Sequence, residues 1–68
     1  MNEFIIKALR YVENTGGGAT KENFIEDFEP IGADLWENIR SQSLVYIEVD
    51  GKIFLTTRGA LVLLGAKP

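Results

Sequence analysis

The side chains best equipped for chemistry in this chain are amides, guanidiniums and carboxylates, because it contains no histidine and no cysteine. The usual general base, the commonest zinc ligand and the thiolate nucleophile are therefore all missing. No nucleophile–base pair, metal cluster or cofactor motif can be assembled, so the expectation is a protein that is not an enzyme and uses no cofactor or metal. Two clusters survive this cut. Asn38, Arg40, Ser41 and Gln42 crowd into five positions, and asparagine, glutamine and arginine have the donor and acceptor geometry to read base edges. Glu26, Asp27 and Glu29 gather three carboxylates, without the residue spacing of a calcium loop.

A third motif is quickly disposed of. Gly16-Gly17-Gly18 runs on into Ala19-Thr20-Lys21-Glu22 after a helical stretch. A phosphate cradle needs a glycine-lysine-serine or glycine-lysine-threonine ending, set between a strand and a helix. The triplet reads as a turn.

The elements that position the two clusters follow from periodicity. The spacing predicts a first helix from Asn2 to Glu13, with Ile5, Ala8, Leu9 and Val12 inward, Phe4 and Tyr11 widening the stripe, and Ile6 on the polar side. Thr20 is the expected N-cap of a short second helix, with Glu22 in its first turn and Phe24, Ile25 and Phe28 buried. Pro30 stops it at Glu29. Glu26, Asp27 and Glu29 then lie at a helix C-terminus, where the dipole disfavours each anion by about 0.3–1 kcal/mol. After a turn at Ile31-Gly32-Ala33, a third helix is expected to start at Asp34 with Glu37 completing an acidic capping box. Leu35, Trp36 and Ile39 are its core residues, and it weakens over Ser41–Ser43.

Two β-rich runs follow, separated by Asp50-Gly51, a pair suited to a two-residue hairpin turn because both positions tolerate positive φ. That turn sets Val49 opposite Lys52, Ile47 opposite Phe54 and Val45 opposite Thr56. Tyr46, Ile53 and Leu55 fall on the other side with Glu48. Both faces are then largely apolar, so either both are covered or one awaits a partner. Thr56 or Thr57 caps a last helix ending at Gly65, and Ala60-Leu61-Val62-Leu63-Leu64 leaves it no polar face.

Helix, helix, helix, hairpin and helix in that order resemble the winged helix-turn-helix domain. The residues that carry the likeness are Leu35/Trp36, Ile39 and Ser43-Leu44-Val45, then Asp50-Gly51, then Ile53-Phe54-Leu55-Thr56-Thr57-Arg58-Gly59. Many members have glycine where Ser43 stands. The resemblance covers nearly the whole chain and implies a small, mostly helical α+β fold, α1-α2-α3-β-hairpin-α4, with a very short third strand at Ala19. It also implies a third helix set in the DNA major groove. Base contacts would then come from Asn38, Arg40, Ser41 and Gln42, and phosphate contacts from Lys21, Lys52 and Arg58. The implied activity, and the leading expectation, is DNA binding and transcription regulation by a homodimer, with duplex DNA as partner.

Charge opposes that implication. The 68 residues carry a formal charge of −3, whereas phosphate neutralisation normally calls for clustered lysine and arginine. Asp34, Glu37, Glu48 and Asp50 fall on the very elements that should meet DNA. The alternative is a protein-interaction module that keeps the fold without using the groove-reading surface. Here the apolar surplus is informative: Ile6, Phe54, Leu61, Val62 and Leu63 are the expected interface of a homodimer or other protein complex. At 46% apolar residues the chain is expected to fold as one domain over residues 1–68. Its longest apolar run is far too short to cross a bilayer, and no leader is evident. The expectation is a cytoplasmic protein without a membrane partner.

Overall fold

A computed structural model describes residues 3–66 and shows a small α+β fold of four helices and one antiparallel hairpin; Asn2, the expected helix start, lies outside the described residues. Helix α1 (Glu3–Thr15) buries Ile5, Ala8, Leu9 and Val12. Ile6, expected on the polar side, is instead half-buried against the core. The reason is that α1 is the central element, touching α3, α4 and the second hairpin strand, so its buried arc is wider than one stripe. Gly16 and Gly17 end it at positive φ, +55° and +87°, a region open to glycine at no steric cost.

Helix α2 (Lys21–Asp27) begins at the expected cap. The Asn23 backbone N–H donates to Thr20 Oγ1 at 3.2 Å, and the Thr20 N–H donates to Asn23 Oδ1 at 3.0 Å. This reciprocal box satisfies orphan donors at the helix start, and its second member is Asn23, a partner the sequence reading missed. Phe24 is buried; Ile25 and Phe28 are half-buried. Tyr11 meets Phe24 and Phe28 edge to face and Phe24 meets Trp36 likewise, with ring centroids 5.6, 5.5 and 5.5 Å apart, while Phe24 and Phe28 lie tilted at 4.7 Å. Such pairs add about 0.5–1.5 kcal/mol each beyond their buried area.

Helix α3 (Gly32–Ser41) starts two residues before the expected Asp34, which therefore occupies the first turn; the N-cap is Ile31, with no side-chain bond. Close packing sets that start. A Cβ at Gly32 would stand 2.1 Å from the Ile25 carbonyl oxygen, so only glycine lets α3 press against α2 there. Leu35, Trp36 and Ile39 are buried as expected. At the far end Ser43 N–H donates to Arg40 O and Leu44 N–H to Ile39 O, both at 3.0 Å. This is the Schellman arrangement, with Ser43 in the left-handed position at φ +60°. Position 43 is thus one that favours glycine on steric grounds.

Strands β1 (Val45–Ile47) and β2 (Ile53–Leu55) pair antiparallel, but one residue away from the expected register: Val45 faces Leu55, Tyr46 faces Phe54 and Ile47 faces Ile53. The turn is the cause. Gly51 N–H donates to Glu48 O at 2.9 Å and Glu48 N–H to Lys52 O at 2.8 Å, closing a three-residue loop over Val49-Asp50-Gly51. Gly51 has φ +87°, whereas among the described residues only Ser43 is a non-glycine with positive φ. Asp50 therefore does not take the conformation a two-residue turn demands, and Gly51 forms a bulge instead. A one-residue slip exchanges faces. Val45 and Ile53 now point inward and are buried, while Tyr46 and Phe54 share the outer face, their rings stacked at 5.7 Å.

Ala19 and Thr20 extend this ribbon. Ile53 N–H donates to Ala19 O at 3.0 Å, and Thr20 makes an antiparallel bridge with Lys52. Helix α4 (Thr57–Gly65) is capped by Thr56, whose Oγ1 accepts from Gly59 N–H at 3.0 Å and donates to Ser43 O at 2.6 Å. Gly59 packs directly on the chain leaving α3, where a Cβ would stand 2.0 Å from Leu44 O.

Candidate functional site

The exposed face of α3 is the first surface to assess. Four buried residues, Gly32, Leu35, Trp36 and Ile39, define its inner side. At about 100° per residue, Ser41 lies opposite them with Asp34 and Glu37 beside it. Asn38 and Arg40 occupy opposite shoulders, about 160° apart. The expected base readers are therefore divided by two carboxylates. They are also engaged with each other: Ser41 Oγ donates to Asn38 O at 2.8 Å, and the Gln42 amide donates to Asn38 Oδ1.

The phosphate-contact candidates fall at two ends of the hairpin. Lys21 follows Thr20, whose backbone bridges Lys52, so these two cations share the turn end. Arg58 stands in the first turn of α4, beside the Ser43–Thr56 corner that closes α3 two residues beyond Ser41. The Arg40 carbonyl accepts the Ser43 N–H at that same corner. The two ends are about 13 Å apart along β2 at ordinary strand rise. Glu48 and Asp50 lie with Lys52 at the turn end, where the Asp50 side chain also accepts the Lys52 N–H at 3.0 Å.

The acidic end of α2 has an internal donor. Tyr11 Oη donates to Asp27 Oδ2 at 2.7 Å. Burial, that bond to Asp27, and then the charges of Asp27 and Glu26 push the Tyr11 hydroxyl up to about 12. A phenol held neutral to such high pH is a fixed hydrogen-bond donor, and it partly relieves the dipole cost of an anion there. Among the described residues no group of three or more carboxylates is placed to hold a metal ion.

Apolar surface is distributed unevenly. Leu63, expected at an interface, is only 2% exposed and belongs to the core; Val62 is half-buried against the same core. Gly59 is the physical reason, since its contact with Leu44 turns the Leu63 side of α4 inward. Leu61 and Leu64 point outward at 63% and 62% exposure. Phe54 is half-buried, with ring atoms Cε1 and Cζ against Gly17, where a Cβ would come within 2.9 Å of both. Beside it opens a cleft of about 580 Å³ lined by Tyr46, Glu48, Val49, Asp50 and Phe54. Sequence reasoning singled out Phe54 but not Tyr46, because the two were set on opposite faces by the two-residue turn. A smaller, more enclosed depression of about 360 Å³ lies between α1 and the α2–α3 turn, lined by Phe4, Phe28, Pro30 and Ile31 among others.

No described helix is long and apolar enough to cross a membrane. No protein-family model matches the chain, and no curated protein or solved structure is significantly similar to it.

Proposed function

We propose that the chain is a winged helix-turn-helix domain that works by docking on protein, acting as a homodimer with Leu61 and Leu64 of α4 as its apolar seam. The fold assignment is supported by the order of elements, the tight α2–α3 approach at Gly32 and the isolated Thr20–Lys52 bridge, one residue from where a short third strand was expected. The observation that carries the docking function is the charge at the centre of the α3 face. Asp34 and Glu37 flank Ser41 there, and Glu48 and Asp50 project from the hairpin; all four are exposed. Set against DNA, each such carboxylate at about 4 Å from a phosphate costs about 1 kcal/mol even in water. Lys21, Arg40, Lys52 and Arg58, split between two ends, offset no more than these four charges.

A second reading has its own supporting observation. Asn38, Arg40 and Ser41 do occupy the outward and shoulder positions of the helix that follows the turn, with Gln42 at its C-cap, so a regulator that binds duplex DNA is the competing function. A titration with mixed-sequence duplex DNA across a salt series separates the two. Docking on protein predicts no saturable binding at low ionic strength. Saturable binding that falls steeply with salt and is weakened by Arg40→Ala would overturn it and establish the DNA-binding regulator.

A further inference from the structure

The outer face of the hairpin combines an aromatic platform with excess negative charge, and nothing in the fold accounts for the pairing. Tyr46 is 38% exposed although it lies on a strand beside the core. Its ring stacks on Phe54 at an interplanar angle of 24°, and Phe54 is in turn wedged against Gly17. The platform is therefore fixed before any ligand arrives, which removes an ordering cost from binding. Glu48 and Asp50 border the same cleft. Lys52 stands opposite Glu48 on the ladder but does not line the cleft, so two carboxylates meet one ammonium.

We infer that this cleft receives an arginine side chain from a protein partner, the guanidinium lying flat on Tyr46 and forking to Glu48 and Asp50. This inference rests on the docking function proposed above and names the partner chemistry. A planar guanidinium is weakly hydrated, stacks on aromatic faces and presents paired donors to carboxylates, which a lysine ammonium does only as a point charge. A nucleobase also stacks on tyrosine, but its phosphates would face the same two carboxylates. An aliphatic segment would leave both carboxylates unmatched. Charge complementarity thus selects the cationic planar group over the other occupants.

The test is an NMR titration of the whole chain with acetyl-Gly-Arg-Gly-Arg-Gly-amide, beside the same peptide carrying citrulline, which keeps the shape and loses the charge. Shifts are expected at the Tyr46 ring and the Glu48–Gly51 amides, with the citrulline peptide binding about fivefold more weakly. Glu48→Gln and Tyr46→Leu should each weaken the arginine peptide about fivefold. The leucine variant keeps apolar area at an exposed position, and a thermal melt checks that it still folds. Equal binding of both peptides, shifts centred on another surface, or no shift at about 10 mM peptide would each overturn the assignment. The DNA titration judges the docking function and this titration judges only the hairpin, so the two fail separately.

Discussion

Helices α1 and α4 cover the same core but take their orientation from different physics. In α1 the side chains are sorted: Ile5, Ala8, Leu9 and Val12 lie inward, while Glu3, Lys7, Arg10, Glu13 and Asn14 are exposed, the exception being Phe4, expected to widen the inward stripe but exposed. Burial of the sorted face is enough to choose the rotation. In α4 every side of the Ala60–Leu64 run is apolar, so burial alone cannot choose between Leu61, Leu63 and Leu64. The choice is made by a residue with no side chain. Gly59 presses its backbone on Leu44, and Leu63, one turn later on the same side, follows it into the core. Hydrophobicity says that a helix will be covered; close backbone contact says which way it faces.

The largest effect expected from this contrast comes from placing a carboxylate on the two sides of α4. Leu63→Asp would bury an unpaired charge, at a cost comparable with the whole stability of about 3–10 kcal/mol for a chain of this size. Circular dichroism should find that variant unfolded at neutral pH. Leu64→Asp leaves the core intact and should still fold, losing only what the proposed dimer seam contributes to stability. If both variants fold equally well, α4 is not locked in rotation. Next in size is Gly59→Ala, which forces α4 away from Leu44 and should cost about 2–3 kcal/mol in urea denaturation. The neighbouring Ala60→Gly makes a fair control at about 1 kcal/mol, the ordinary helix penalty. A smaller loss for Gly59→Ala than for Ala60→Gly would remove the glycine seat from the comparison. The smallest effect is a gain: Ser43→Gly relieves a left-handed serine beneath α4 and should raise stability by about 1 kcal/mol. A lower urea midpoint for that variant would mean that the serine contributes something its backbone angle does not reveal.

What the sequence made legible follows the same division. Periodicity and caps located the first helix, the Thr20 cap and the Leu35/Trp36/Ile39 core, and narrowed the last cap to Thr56 or Thr57, because each depends on residues close together in the chain. The hairpin was legible as a hairpin, yet its register was not. Asp50-Gly51 suits a two-residue turn, but glycine serves equally as the bulge of a three-residue turn, and the two differ by one position. That single position decided whether Tyr46 and Phe54 meet. The burial of Leu63 was equally hidden, because the contact responsible joins Gly59 to a carbonyl fifteen residues earlier. On α3 the residue types were legible and their angular separation was computable, but nothing in the residue types alone distinguishes a reading face from a solvated one.

Thr56 carries a consequence beyond its role as a cap. One hydroxyl gives its proton to the carbonyl of Ser43 and takes one from the amide of Gly59, while its own backbone N–H reaches Leu44. Three elements are riveted at a single atom cluster, so a tilt of the third helix carries the last one with it. Loss of that one hydroxyl would cut both side-chain bonds at once.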